Sequence, residues 1–277
     1  MEARAPAAGS AGVGAQVSQL AAPLNHIGAV GLLIASISAA HSAQDAVPAT
    51  HGIAPFSGAS AATLPTPWRV VGLPGNKVPL AQIDIVTLGP DRVMRLRTDH
   101  SYGTASHALP PKTSAGTLTW RWRLDQPIEL ADLRKKVGDD TALKVCAMFD
   151  MPLERLGFIE RNLLRLARSA SGEYLPAATL CYVWDQKLPV GSELPNAYTS
   201  RVRFVVVDSA SNPSGPASPL QQWVSHTRDL HADFLKTFGA ESESVPPLLA
   251  IVVGADSDNT GQSSLGYVGD ISLTPTR

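Results

Sequence analysis

An acidic loop, Asp256-Ser257-Asp258-Asn259-Thr260, is the most suggestive group of oxygen-bearing side chains in the sequence. Alternate oxygens in a tight turn suit Ca²⁺, which takes several oxygen ligands at once. The loop lacks the glutamate that closes a full EF-hand loop, and an ordinary turn, in which Asp and Asn side chains bond to their own backbone, is the alternative. Asp256, Asp258 and Asn259 are therefore candidate calcium ligands, and no other cofactor is predicted.

A second acidic pair, Asp139 and Asp140, follows Gly138 and enters a predicted strand. Because adjacent side chains on a strand point to opposite faces, the two carboxylates are not expected to serve one substrate. Asp139 could form an ion pair with Arg121 or Arg123 across the sheet. Alternatively, these three residues line a polar groove, since guanidinium and carboxylate groups make paired hydrogen bonds to the vicinal hydroxyls of a sugar.

The aromatic residues fall into two groups. Trp120 and Trp122 share one face of a predicted strand and are expected in the core, because large aromatics usually supply burial. Others stand near loops or strand ends and are candidates for stacking on the apolar face of a sugar, if their rings are exposed. These candidates are Tyr102, Trp184, Tyr198 and Trp223.

Cys146 and Cys181 are the only cysteines, and each lies in a predicted strand. In an oxidising compartment such a pair indicates a disulfide. Strand cysteines are also often small buried apolar residues, and cross-strand bridges are geometrically demanding. Both readings stay open, and no metal-ligand spacing surrounds either cysteine.

The sequence contains no nucleophile elbow, zinc-protease motif, phosphate loop or dinucleotide fingerprint, and its histidines form no recognisable ligand pattern. A carboxylate pair that cleaves a polysaccharide needs no motif, because its acids converge only in space. Whether the protein is an enzyme therefore stays open. The candidate acids are Asp139, Asp140, Glu173, Asp256 and Asp258.

Short β-branched or aromatic runs separated by Gly, Pro and Asp predict a mainly β protein, an antiparallel β-sandwich. The clearest run is Leu118–Leu124, where strict alternation places both tryptophans on one face. The other predicted strands lie at residues 68–71, 84–88, 93–98, 106–109, 142–149, 177–184, 201–207, 248–254 and 266–273. If the strands that carry the two cysteines are neighbours, they are expected to be antiparallel.

Two segments have the spacing of amphipathic helices and are expected at the edge of the sandwich. Residues 153–168 place Leu156, Ile159, Leu163 and Leu166 on one stripe. Residues 228–238 repeat the pattern before Gly239, a helix stop. A short helical turn is also expected at residues 129–136.

The composition excludes some partners. The formal net charge is -1, and the basic residues are scattered, so neither nucleic acid nor an anionic membrane surface is an expected partner. An uncharged run, Ile27–Ala40, is too short to span a bilayer and resembles a signal-peptide core, with cleavage expected near residues 40–43. Residues 1–43 are thus a predicted leader, residues 44–62 a flexible linker and residues 63–277 one domain. A periplasmic or secreted location follows, without stable membrane insertion once the leader is removed.

Residues 63–275 resemble the domain-of-unknown-function family 3047, a group of bacterial, generally exported proteins. The segments that carry the resemblance are Leu64–Val70, WRWRLDQP, Gly138–Asp140, Cys181–Trp184, Arg228–Leu230 and Ala255–Thr260. The family implies no activity, catalytic residue or ligand. Its strand pattern is similar to jelly-roll modules that bind galactose and other carbohydrates, although a fold does not determine function.

Three hypotheses follow from the sequence. The first is a non-catalytic module that binds a glycan or another polar ligand. The second is a hydrolase or lyase that acts on polysaccharide, and the third is a structural or assembly protein of the cell envelope.

Overall fold

Two β-sheets packed face to face form the part of the chain that the computed structural model describes, residues 52–171, 175–211, 213 and 215–275. One sheet has seven strands in the order β1-β4-β11-β6-β7-β9-β8, and the other has six, with the path β10-β5-β12-β3-β2 and β13 paired to β5. All strand pairs are antiparallel except the parallel pair β7 and β9. The predicted antiparallel β-sandwich is confirmed.

The strands have the following bounds: β1 Arg69–Val71, β2 Gln82–Leu88, β3 Asp91–Asp99, β4 Tyr102–Thr113, β5 Gly116–Gln126, β6 Lys144–Phe149, β7 Ala178–Asp185, β8 Glu193–Pro195, β9 Val202–Ser209, β10 Val224–Asp229, β11 Leu248–Asp256, β12 Ser263–Val268 and β13 Ser272–Pro275. Two α-helices accompany them, α1 Phe158–Ser171 and α2 Leu230–Phe238. Short 3₁₀ helices lie at Pro74–Asn76, Lys136–Gly138 and Leu153–Arg155. The helical turn expected at residues 129–136 is thus a 3₁₀ helix that begins only at Lys136.

The six-stranded sheet behaves as its alternation predicted. Along β5, buried residues alternate with partly exposed ones. Trp120 and Trp122 both lie in the core between the sheets, with their ring centroids 5.8 Å apart. The inner face of this sheet therefore supplies one wall of the main core.

The central strands of the seven-stranded sheet are buried on both faces, and every residue of β6 and β7 is buried. Val145 and Phe149 point into the main core, whereas Cys146 and Met148, between them on the strand, belong to a second apolar cluster on the outer face. Leu133, from the loop before β6, also belongs to this second cluster. Strands covered on both sides have no polar alternation, in agreement with their sequences.

A disulfide joins Cys146 and Cys181 on the outer face. The two residues stand directly opposite each other in the antiparallel pair of β6 and β7. It closes a span of 35 residues that includes α1.

Helix α2 packs as its pattern predicted, with Leu230, Phe234 and Phe238 buried. It begins two residues later than predicted, because Asp229 caps it: its carboxylate accepts hydrogen bonds from the backbone N–H groups of His231 and Ala232.

Helix α1 is oriented differently from the prediction. Leu156, just before the helix, is buried, but Ile159, Leu163 and Leu166 are 73%, 61% and 66% exposed. The helix buries Leu164 instead.

Polar contacts fix this orientation of α1. Glu160 accepts a hydrogen bond from Ser200 and lies 3.3 Å from Arg201, and the Arg168 guanidinium donates to the carbonyl oxygen of Leu175. The expectation that the leucine stripe packs on the sandwich was therefore wrong.

The predicted flexible linker is, over its described part, a packed segment. Phe56 is fully buried in the main core, and its backbone N–H donates to Asp270 at 2.6 Å. The N–H of Ala54 donates to Nε2 of His107, and Nε1 of Trp68 donates to the carbonyl oxygen of Ala54. Residues 52–62 therefore belong to the folded domain, since both their side chains and their backbone are engaged.

The predicted leader and residues 44–51 lie outside the described residues. None of the described helices has both the length and the apolar character needed to cross a bilayer.

Replacing Phe56 by alanine tests whether residues 52–62 belong to the fold. We expect Phe56→Ala to lower the free energy of unfolding by about 3–5 kcal/mol, because it empties a buried aromatic site. The measurement is equilibrium denaturation in urea. The matched control is Phe158→Ala, at a side chain that is 75% exposed, where a change of no more than about 0.5 kcal/mol is expected. Equal effects of the two substitutions would contradict the assignment.

Candidate functional site

A small polar cleft, named the Lys144 cleft here, lies on the outer face of the seven-stranded sheet at the ends of β4, β6 and β11. The strand register places Tyr102 opposite Asp256 and Lys144 opposite Gly254, so these residues share one face. The cleft has a volume of about 20 Å³, and its walls include Asp139, Asp258, Leu73 and Phe204. It has room for about one water molecule or one ligand hydroxyl.

Lys144 is the central residue of the cleft, and only 1% of it is exposed. Its Nζ lies 2.9 Å from Oδ1 of Asp256 and 5.2 Å from the ring centroid of Tyr102. The side chain crosses Gly254, where a Cβ would stand 2.9 Å from Cε of Lys144. Glycine is therefore required at position 254 to make room for the lysine.

Asp256 holds this ammonium in place. Its Oδ1 also accepts hydrogen bonds from the backbone N–H of Thr141, at 2.8 Å, and from the Thr141 hydroxyl. Burial raises the pKa of Asp256, and the Lys144 ammonium opposes that rise. The carboxylate therefore depends on these three donors, as a buried charge must.

Asp140 clamps the acidic loop. It accepts hydrogen bonds from the backbone N–H groups of Asn259, at 3.1 Å, and Thr260, at 2.7 Å. The side-chain amide of Asn259 donates to the Asp139 carbonyl oxygen and to Asp140. The loop before β6 and the loop after β11 are thus tied together, which fixes the walls of the cleft.

Asp139 and Tyr102 bring unpaired polar atoms to the cleft. Asp139 is 5% exposed, and its Oδ2 accepts from the Asn196 amide at 2.5 Å, whereas Oδ1 has no partner among the described residues. Tyr102 is 4% exposed, and its hydroxyl likewise has no partner within the described ranges. Such atoms are rare in folded proteins and often mark a place where water or a ligand binds.

Two carboxyl groups of the cleft have pKa values well above the usual range. Burial, reinforced by the charge of Asp256, raises the pKa of Asp139 to about 7. The same two causes raise the pKa of Asp258 to about 6. Carboxyl groups perturbed by burial and a specific charged neighbour, in a cleft, are typical of functional sites.

Three carboxylates also converge closely enough to hold a metal ion. Asp140, Asp256 and Asp258 each place one oxygen within 4.8 Å of the other two. Two of the three were predicted as calcium ligands. The third predicted ligand, Asn259, uses its Oδ1 to accept from the Tyr198 hydroxyl at 3.0 Å, and Asp140 takes its place in the cluster.

The predicted arginine groove does not exist. Arg121 and Arg123 lie on β5 in the six-stranded sheet, whereas Asp139 lies at the seven-stranded sheet. Arg121 pairs with Asp91 at 2.7 Å, and Arg123 pairs with Asp125 at 2.6 Å. Both the predicted groove and the predicted ion pair with Asp139 were therefore wrong.

The aromatic candidates are scattered. Trp184 is 4% exposed within the core and cannot stack on a ligand, so that prediction was wrong. Trp223 lies under the Arg121 guanidinium, 4.7 Å from its ring centroid. Tyr102 reaches the cleft but is buried and offers its hydroxyl rather than an exposed ring face. Tyr198 is partly exposed beside the cleft, and its hydroxyl contacts Asn259 and the Lys136 carbonyl oxygen.

Sequence reasoning missed Lys144, Thr141 and Asn196. Lys144 had a visible signal, because it is the only charged residue within the apolar run from Ala142 to Phe149. A lysine in a strand that is buried on both faces needs a buried acid. Thr141 and Asn196 gave no signal of this kind, since polar residues of their type are common in loops.

Comparisons with known proteins identify a family for this chain. Residues 66–272 match the family described as "Protein of unknown function (DUF3047)". No curated protein sequence matches the chain.

Several solved structures are similar at low identity. The family 11 carbohydrate-binding module of Clostridium thermocellum is 10% identical, with 82% of this chain and 95% of that chain covered and a TM-score of 0.35. The K1 cleaved adhesin domain of Lys-gingipain from Porphyromonas gingivalis is 9% identical, with 82% and 99% covered and a TM-score of 0.36. Endoglucanase 3 of Trichoderma harzianum is 10% identical, with 77% and 100% covered and a TM-score of 0.36. At this identity the likenesses assign neither a ligand nor an activity.

The pKa of Asp139 predicts an unusual dependence of stability on pH. Between its ordinary pKa near 4 and about 7, Asp139 keeps its proton in the folded state and loses it on unfolding, so stability falls as pH rises. The Asp139→Asn variant lacks this loss. Relative to the wild type, its free energy of unfolding should increase by up to about 4 kcal/mol as the pH rises from about 4 to about 8. The measurement is urea denaturation.

Asp132→Asn is the control for this titration. The hydrogen bond from Arg134 lowers the pKa of Asp132 to about 2, so Asp132 is ionised in both states above about pH 5. Above about pH 5, the difference between this variant and the wild type should stay flat. A flat difference for Asp139→Asn as well would contradict the assigned pKa.

Proposed function

The chain belongs to the DUF3047 family of proteins of unknown function, and we propose that it is a non-catalytic binding module that recognises a hydroxylated, glycan-like ligand at the Lys144 cleft, outside the cytoplasm. One observation carries the proposal. The Tyr102 hydroxyl and Oδ1 of Asp139 are buried without partners among the described residues, and both residues line the same cleft as Lys144.

The chemistry of the cleft matches a hydroxyl group. A hydroxyl donates one hydrogen bond and accepts two. Lys144 and Tyr102 provide donors, and Asp139 and Asp258 provide acceptors in their ionised forms. Each buried polar atom that finds a partner on ligand binding recovers a penalty of about 1–3 kcal/mol.

The size of the cleft limits which part of the ligand can enter it. A volume of about 20 Å³ accepts one hydroxyl but no sugar ring. The ring then stays at the mouth, where the partly exposed Tyr198 lies next to the cleft residue Asn259. Aromatic rings with a polar tip suit such half-wet positions.

A hydrolase or lyase acting on polysaccharide is the second candidate. The pKa of Asp139, about 7, favours it, because a carboxyl group that keeps its proton near neutral pH can act as a general acid. Glu173, another of the candidate acids, lies outside the described residues. Release of new reducing ends from a bound glycan distinguishes this candidate from simple binding.

Calcium is the second ligand proposed for the cleft, on the convergence of Asp140, Asp256 and Asp258. The charge of Lys144 allows the two proposed ligands to be distinguished by experiment. A hydroxylated ligand uses the ammonium as a donor, whereas a divalent cation in the carboxylate cluster is repelled by it. Removal of the lysine charge should therefore weaken one ligand and strengthen the other.

The test is calorimetric titration of the full chain with a panel of neutral and acidic oligosaccharides, and separately with calcium chloride. Tyr102→Phe removes one hydroxyl and should weaken glycan binding about fivefold to tenfold. Lys144→Met should abolish glycan binding and tighten calcium binding. Tyr267→Phe is the matched control, because it removes a hydroxyl from β12 of the other sheet, and no change is expected.

Three results would contradict the proposal. The first is the absence of glycan binding by the wild type. The second is equal weakening by Tyr102→Phe and Tyr267→Phe, which would place the ligand elsewhere. The third is release of reducing ends, which would replace binding by catalysis.

A further inference from the structure

The solvent-facing side of α1 carries a continuous apolar stripe. Phe158, Ile159, Leu163 and Leu166 are 75%, 73%, 61% and 66% exposed. The last three are spaced four and three residues apart, so they form one line along the helix. Single exposed apolar residues are ordinary on a protein surface, but a contiguous group marks an interaction surface.

Arginines flank this stripe. Arg155, just before the helix, and Arg165 are exposed, and neither forms an ion pair with the part of the chain that the structure describes. Arg161 and Arg168 lie between the exposed and buried sides, and each donates to a backbone carbonyl oxygen.

The acids near the stripe do not cancel these charges. The segment from Leu153 to Arg168 has four arginines and two glutamates, Glu154 and Glu160. Glu160 is turned toward the sandwich, where it contacts Ser200 and Arg201. Glu241, which also approaches Arg201, is held by Arg201 and Arg203. Glu154 is exposed beside Arg155 before the helix, whereas Glu160 is the only acid within α1, so the exposed side of the helix is apolar at its centre and positive at its edge.

We propose that α1 docks the protein onto an anionic lipid bilayer, with the helix lying in the plane of the interface. An amphipathic helix with Phe, Leu and Ile on one side and arginines beside them is the type of element that binds there. Arginine stems extend along apolar surface and place the guanidinium among the lipid phosphates. The fourteen residues of α1 are too few to cross a bilayer, so the helix lies on the surface.

Charge favours lipid over the other occupants of such a stripe. In a dimer through two α1 helices the arginines of both copies would be brought together, and like charges across an interface are costly. The apolar run at residues 27–40 carries no acid that could pair with them. An anionic bilayer buries the apolar stripe and places lipid phosphates beside the arginines.

The test is co-sedimentation of the full chain with vesicles of phosphatidylcholine, with and without about one third phosphatidylglycerol. The variant Ile159→Ser with Leu163→Ser should lose at least about tenfold in partitioning to anionic vesicles. The matched control is Leu130→Ser, at a leucine that is 60% exposed outside α1, where no change is expected. Residues 1–51 contribute equally to all of these proteins, so the difference reports α1 alone.

A charge variant separates the arginines from the apolar stripe. Arg155→Gln with Arg165→Gln should weaken binding to the anionic vesicles about tenfold or more and leave any binding to pure phosphatidylcholine unchanged. Added salt should weaken the anionic binding of the wild type in the same direction.

Three outcomes would overturn the proposal. In the first, the wild type does not bind anionic vesicles. In the second, the stripe variant binds as well as the Leu130→Ser control. In the third, light scattering shows a dimer that the stripe variant breaks, without any vesicle binding. Circular dichroism of each variant confirms that it is folded, as expected for exposed side chains.

Discussion

The seven-stranded sheet is covered on both faces at its centre, and most features of the domain follow from this constraint. A strand buried on both sides leaves no wet face for a polar side chain, so each such group needs a partner inside the protein. The outer face of β6 and β7 meets the constraint with an apolar cluster and the disulfide between Cys146 and Cys181. Lys144, at the start of β6, is a charged exception, and the cleft forms where Asp256 pairs with it.

The partners of Lys144 come from distant parts of the chain. Asp256 ends β11, and its carboxylate is held by Thr141 from the loop before β6. Asp140 in that same loop returns the contact by accepting two backbone N–H groups of the 256–260 loop. The two loops therefore fix each other above the ends of rigid strands. A site built in this way keeps its geometry without a ligand, which lowers the entropic cost of binding.

The features of the fold that depend on periodicity were predicted from the sequence. Those that depend on which side chains pair with each other were not. Alternation along β5 placed Trp120 and Trp122 on one face, and the spacing in α2 identified Phe234 and Phe238 as buried. Helical spacing also grouped Ile159 with Leu163, correctly, but periodicity shows only which residues share a side. The direction of that side was decided by the contacts of Glu160 with Ser200 and Arg201, forty residues away, and of Arg168 with the loop that follows the helix. For the same reason the pairing of Arg121 with Asp91 could not be foreseen, because each arginine had several acids within reach of some plausible register.

The four carboxylates of the cleft are divided by the hydrogen bonds that they accept. Asp140 takes its donors from the backbone of the acidic loop, and Asp256 takes its donors from Lys144 and Thr141, so both are committed to the fold. Asp139 is only half satisfied, because Asn196 reaches one oxygen and not the other. Asp258 is partly exposed at the same cleft, and the negative charge of Asp256 raises the pKa of both Asp139 and Asp258. Lys144 gives one of its three donors to Asp256, so a ligand that accepts from the ammonium and donates to Asp139 and Asp258 would stabilise the other two carboxylates.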